Sequence, residues 1–320
     1  MTSRRRRTKL PAAARRPCHH DRDRSLGAAA LGFEDARYGA ERSRRLLITT
    51  IVALGEHADA VTVVGAHAVH VWVQKKWGPI DVESTRDGDL AVDLVLIAED
   101  RKIMELMTGI GLELAHSERP GIYVLVSERG FSCEQRTSVD LLVPETYAGS
   151  KGRSARIPRQ KSATTRAYEL ELAIHDRNLN RISTTDGEPQ LTIDVYVAGP
   201  ATLLTAKAHK VSERLAVVEK RPDRLRPKDL GDIALLMMVT DGVEMVETML
   251  KHVAERPEIC AVEHDGIRYL VGMYSSGNDT IVRELMAGSL RARFPKPVLF
   301  DAIDSWLSSF SAKLNESAVP

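Results

Sequence analysis

The chain has 320 residues, 28% of them charged, and a formal net charge of only +1. That length allows one large or two modest domains with a sizeable core. No apolar run approaches the roughly 18 residues a membrane-spanning helix requires, which argues against a membrane protein. The near-zero total hides an uneven distribution. Residues 1–24 carry nine Lys/Arg against Asp21 and Asp23, a net +7 that leaves −6 for the remainder. Residues 1–30 have almost nothing to bury, so they are expected to be a disordered basic tail able to touch nucleic acid electrostatically. No apolar segment follows the arginines, so the tail is not a secretory or twin-arginine signal. Cys18, Cys133 and Cys260 are widely spaced and odd in number. They form neither a disulfide framework nor a zinc pattern, and a reducing cytoplasm is the expected compartment. Cys18-His19-His20 is read as part of the tail rather than as a metal site.

In chain order, an amphipathic helix is predicted over about Glu34–Glu56, with Leu46, Leu47, Ile51 and Leu54 on its apolar side. A strand follows at Val61–Val64, and Gly65 turns the chain into a helix over about Ala66–Lys75. After a loop with Gly78 and Pro79 comes a strand running from the Asp87 region to Ile97, then a helix at about Asp100–Gly109. Gly121–Ser127 and Thr137–Val143 read as a hairpin-like pair of strands. Leu191–Val197 reads as another strand, ending at Gly199-Pro200, where proline suits the first turn of a helix. Beyond it the pattern is helical, over about Ala201–Glu219, Lys228–Val239, Val243–Glu255, Asn278–Ala292 and Leu299–Leu314. The expected fold is α+β: a mixed sheet flanked by helices in residues 31–199, then a mainly helical domain in residues 200–320 contributing to the cleft.

Thr85-Arg86-Asp87-Gly88-Asp89 carries the chemistry. Residues i and i+2 of a strand share a side, so Asp87 and Asp89 face one way. Two carboxylates that close repel unless a cation sits between them, and Mg²⁺ is a hard, oxygen-seeking partner. Asp140, in Ser138-Val139-Asp140-Leu141-Leu142, is an acid inside an apolar strand and is expensive without a partner. Asp194 has the same local look; Asp140 is favoured because it follows at a shorter interval. Asp229 and Asp232 are three apart at the start of a helix and share a face. Asp229 either caps that helix, or the pair holds Lys207 or Arg214. Lys207 in such a site would grip phosphate oxygens as a point charge. His67 and His70 are expected to be satisfied core or rim histidines rather than metal ligands.

Together, Gly65-Ala66, Thr85-Arg86-Asp87-Gly88-Asp89, Asp140, Lys207 with Arg214, and Lys228-Asp229-Leu230-Gly231-Asp232 resemble the nucleotidyltransferase superfamily, in its AbiE-type (AbiEii) toxin-like branch. The resemblance covers about residues 45–240. Ala66 stands where the family has Gly or Ser, Gly88 where it has an apolar residue, and the interval from Gly65 to Asp87 is long. The resemblance implies a nucleotidyltransferase-like core sheet, with Asp87, Asp89 and Asp140 holding one or two Mg²⁺ ions. It implies an NTP co-substrate contacted by Gly65, Ala66, Thr85, Arg86, Lys207, Arg214, Lys228, Asp229 and Asp232. It further implies transfer of a nucleotide to tRNA or another RNA, and a cognate antitoxin as protein partner. Two basic segments suit such an acceptor: residues 151–166, with six Lys/Arg and no acid, and residues 207–228, with eight Lys/Arg against Glu213, Glu219 and Asp223. Two other readings stay open: a nucleotidyltransferase acting on a small molecule such as an antibiotic, and a non-catalytic module binding nucleotide or nucleic acid.

Overall fold

A computed structural model describes residues 32–78, 85–97, 102–116, 119–132, 135–187, 189–275 and 277–317. The basic tail with Cys18, the loop after Gly78, and Cys133 lie outside the described residues. The first helix, α1, spans Gly32–Leu54 and continues as a 3₁₀ turn over Gly55–Ala60. Strand β1 (Val61–Val64) leads directly into α2 (Gly65–Trp77). Then come β2 (Asp87–Val92), α3 (Ile103–Gly109), β3 (Leu112–His116), β4 (Arg119–Leu125) and β5 (Ser138–Pro144). The short β6 (Thr165–Ala167) precedes a 3₁₀ segment, Tyr168–Ile174, followed by β7 (Arg177–Ser183) and β8 (Thr192–Ala198). Six helices follow: α4 (Pro200–Leu215), α5 (Pro227–Val239), α6 (Gly242–Glu255), α7 (Cys260–Gly272), α8 (Asp279–Leu290) and α9 (Lys296–Glu316). The fold is therefore α+β, and the described strands all precede Gly199. No described helix is long and apolar enough to cross a membrane.

The strands form one mixed sheet in the order β3-β4-β5-β2-β1-β8-β7, with β6 added to β5. Strand β1 runs antiparallel to β2 and parallel to β8, while β2 runs parallel to β5. Directly paired residues point to the same side of a sheet. Val63 pairs with Leu90, Leu90 with Leu141 and Gly88 with Val139, so these share one face. That face is closed by α1, and Val63, Leu90, Val139, Leu141 and Leu47 are fully buried. Asp87, Asp89, Ser138 and Asp140 occupy the other face by the same alternation. The 3₁₀ segment 168–174 packs further along that side against β1, β2 and β5, and α4 packs on it in turn. The helix α5 rests on α2, which brings the helical region against the sheet region.

Several elements differ from expectation. The strand with the two aspartates stops at Val92, not Ile97. Asp93 leaves the sheet, its side chain accepting a hydrogen bond from Val95 N at 2.9 Å to make a turn, and Val95 is exposed. Strands β3 and β7 and helix α7 were not expected. Both strands sit at the edges of the sheet, where polar residues are tolerated on the open side.

Candidate active site

Strand register assembles the site. Asp89 lies directly opposite Asp140, and Asp87 opposite Ser138. Ser138 Oγ lies between the acids, 3.0 Å from Asp87 Oδ1 and 3.3 Å from Asp140 Oδ1. Sequence reasoning singled out the three carboxylates but missed this hydroxyl. Only the pairing of β2 with β5 reveals it. The start of β5 is itself anchored by buried Glu128, which accepts a bond from Thr137 N at 2.6 Å and is ion-paired with Arg42.

At the end of β1, Gly65 takes φ +65°, which glycine adopts without strain. A Cβ on Gly65 would collide with the Asp89 carboxylate. The glycine therefore does two things: it turns the chain into α2, and it leaves room for Asp89 at the helix start. Gly88 also meets a structural demand. A Cβ there would stand 3.1 Å from Leu47 Cδ1, so a helix leucine fills the volume a strand side chain would take.

Asp89 and Asp140 are electrostatically unsatisfied. Burial, and then the charge of Asp87, push the Asp89 carboxyl up to about 6. Burial, and then Asp89 and Asp87, push Asp140 well above the usual range. Lys210, Lys207 and Lys228 pull Asp89 the other way but do not offset these effects. Among the described residues, no three His, Cys, Asp or Glu side chains stand ready as a metal cage. Mg²⁺ does not need one, since it commonly takes one or two carboxylates and completes its shell with water and substrate phosphate. Three oxygen-donor acids on one side of a sheet, two of them driven toward protonation by burial and then by a neighbouring carboxylate, fit a divalent cation chemically.

The second set of predicted residues lies on α4 and α5 and is tightly paired. Lys207 Nζ is 2.7 Å from Asp232 Oδ2 and 3.7 Å from Asp229 Oδ1. Asp229 also binds Lys210 at 2.9 Å and Arg214. The acid pair thus holds both Lys207 and Arg214. Burial opposes ionisation of Asp229, but Lys207, Lys210 and Arg214 outweigh it and keep its pKa below the ordinary range. Burial likewise presses Lys207 to lose its proton, and Asp232 and Asp229 more than compensate. Lys228 is lowered, chiefly by burial, although Asp232, Asp87 and Asp89 oppose the shift. Lys210, not singled out beforehand, bridges the two groups electrostatically, for its charge acts on Asp89 and Asp140 while it pairs with Asp229.

Other expected residues fall elsewhere. Arg86 reaches Gln135 O at 3.0 Å, on the approach to β5, and so is committed to backbone rather than to the carboxylates. Thr85 Oγ1 donates to Asp87 O at 3.3 Å within its own strand segment. Ala66 is buried in the first turn of α2. Asp194 forms an exposed pair with Arg181, at 2.9 and 3.0 Å, far along β8 at its pairing with β7. Asp140 is therefore the acid that joins Asp87 and Asp89. In residues 207–228 most of the positive charge is neutralised internally, since Arg221 pairs with Asp223 and Arg224 with Glu213 in addition to the pairs above. In residues 151–166, by contrast, Lys151, Arg153, Arg156, Arg159 and Lys161 are exposed.

Of the two histidines of α2, His67 is satisfied as expected and His70 is not. His67 is buried and partnered, its Nε2 lying 2.9 Å from Ser43 Oγ. Burial, with Arg44 and Lys228 nearby, holds its pKa down at about 3. His70 is buried too, but neither ring nitrogen has a partner among the described residues. Comparison with protein-family models, with curated proteins and with solved structures gives no match.

Proposed function

We propose that the chain is a Mg²⁺-dependent nucleotidyltransferase that moves a nucleotide from an NTP to a hydroxyl of tRNA, acting in the cytoplasm as the toxin-like component of a toxin–antitoxin or phage-defence system. The observation that carries the reading is the register of β2 and β5. It gathers three carboxylates beside the N-terminus of α2, with Asp89 within the field of Lys210, Lys207 and Lys228. Mg²⁺ held by Asp87 and Asp89, with Asp140 beside them, would neutralise triphosphate charge and polarise the reacting phosphoryl group.

The chain's own residues have these roles. Gly65, lacking a side chain, lets the first backbone N–H groups of α2 approach phosphate oxygens. Asp140, as the carboxylate, takes the proton of the attacking hydroxyl. That oxygen bonds to the α-phosphorus as the α–β phosphoanhydride bond breaks and pyrophosphate leaves in line. Lys228 and Lys210 offset charge that develops on the departing phosphates. Lys207 is a positioning residue, because Asp232 and Asp229 engage its ammonium. The exposed cations of residues 151–161 support a polyanionic acceptor, and their contribution is salt-dependent. The internal pairing of residues 207–228 favours a small-molecule acceptor as the second reading.

The test is transfer of label from each α-³²P ribonucleoside triphosphate to total tRNA with Mg²⁺, beside an Asp87→Ala, Asp89→Ala variant. Label on tRNA that falls at least about 10³-fold in the variant, with its fold retained by circular dichroism, is the expected result. Pyrophosphate release with small hydroxyl compounds but no label on tRNA would select the second reading. No release with any acceptor would overturn both.

A further inference from the structure

A cavity of about 310 Å³ lies between α1, α2 and β7, lined among others by Arg44, His67, His70, Gln74, Lys75 and Asn180. Its lining shares no residue with the carboxylate cluster, and along α2 it runs from His67 to Lys75. Its lining contains three cations (Arg44, Lys75 and Arg181) and no acid. Arg181 is taken up by Asp194. Among the described residues, no carboxylate lies within ion-pairing distance of Arg44 or Lys75. Lys75 Nζ instead lies 4.6 Å over the Trp72 ring. Burial is the main force lowering the Arg44 pKa, and Glu41 and Asp186 only partly oppose it. A partly buried guanidinium without a paired carboxylate, in a cleft with no acid in its walls, favours an anion.

His70 is the independent observation. It lines the same cavity, is 2% exposed, and has both ring nitrogens closed off and unpartnered. Buried polar atoms are nearly always hydrogen-bonded, and an exception calls for a missing partner. His67, one turn earlier, has its partner in Ser43, so of the two imidazoles only that of His70 lacks one. Burial and the neighbouring cations keep His70 neutral, with one N–H to donate and one nitrogen to accept.

We infer that this cleft binds a small phosphate-bearing anion, clamped by Arg44 and Lys75 and completed by a hydrogen bond with His70. Guanidinium and ammonium are the groups that recognise phosphate, the first as a planar fork and the second as a point charge. The volume is at the lower end for small-molecule pockets, which suits a mononucleotide, pyrophosphate or phosphate and not an RNA strand. The inference does not depend on the proposed transferase activity.

Isothermal titration calorimetry of the full chain without Mg²⁺ tests it, using inorganic phosphate, pyrophosphate and the four nucleoside monophosphates in turn. At least one should bind with one-to-one stoichiometry, in the Asp87→Ala, Asp89→Ala variant as in the parent. Binding should weaken at least about tenfold in Arg44→Gln and in Lys75→Gln. Lys75 is exposed, so its variant folds even if the Arg44 variant does not. Saturation by inorganic ligands identifies a free phosphate as the source, and saturation by nucleotides alone identifies a nucleoside-linked one. Absence of binding at millimolar ligand would overturn the inference. So would binding that disappears with Asp87 and Asp89 but is indifferent to Arg44 and Lys75.

Discussion

Asp89 and Asp229 are the same residue type, both withdrawn from bulk water, yet they are driven in opposite directions. Asp89, beside Asp87 and Asp140, is pushed up to about 6. Asp229, among Lys207, Lys210 and Arg214, is held below the ordinary range although burial acts on it in the same sense. Burial sets the cost of the charge, and the neighbours decide whether it is met. The α4–α5 group is complete in itself and behaves as a structural clamp. The sheet group is left with excess negative charge, the condition expected of a place that waits for a cation.

The largest effect that could break this contrast is at the clamp. Lys207→Met removes the partner of buried Asp232 and one of the partners of Asp229, and should cost about 3–5 kcal/mol in urea unfolding. A loss below about 1 kcal/mol would mean that the clamp is not structural. Next, Gly65→Ala places a methyl against the Asp89 carboxylate at φ +65°. Under the proposed function Asp89 is a metal ligand, and misplacing the site by about 1 Å costs roughly 10²-fold, so label transfer should fall by about that factor. Unchanged transfer would show that Asp89 need not stand where it does.

The smallest effect sharpens the contrast through pH. Asp89 has a folded pKa raised to about 6, above its unfolded value of about 3.9. The folded state therefore binds more protons between these values, and stability falls as pH rises from about 4 through about 6. Asp89→Asn should reduce that decline, leaving the part that comes from Asp140, and be more stable than the parent by roughly 1–2 kcal/mol at pH 7.5, with the gap closing by pH 4. Asp229 has the opposite sign: its contribution is present at neutral pH and is lost only as pH falls below about 4. Equal acid dependence in Asp89→Asn and parent would remove the distinction between the two groups.

Much of the sheet group was legible because it is local. Gly65 after four β-branched residues, and two aspartates at i and i+2, fix a turn and a common face from sequence alone. The shorter interval favoured Asp140 over Asp194, which has the same apolar flanks, and the pairing of β5 with β2 supplies the physical reason. Ser138 was invisible without that pairing. Strand β7 reads Arg-Asn-Leu-Asn-Arg-Ile-Ser, and its polar residues hide the period of two that a half-exposed edge permits. Helix α7 was hidden by Asp265-Gly266, which looks like a turn. Gly266 is required instead by close packing, since a Cβ there would lie 2.9 Å from Thr205 Cβ on α4. His70 read as an ordinary core histidine because a sequence cannot tell whether a buried imidazole has a partner.

Leu47 and Gly88 share one volume, divided between a helix and a strand that are 41 positions apart. Neither residue is free to vary alone. A larger residue at 88 demands a smaller one at 47, and shortening Leu47 by itself opens a void behind the strand that carries both aspartates. Among natural variants of this chain the two positions should therefore covary in size, with their summed volume preserved while each individual residue changes.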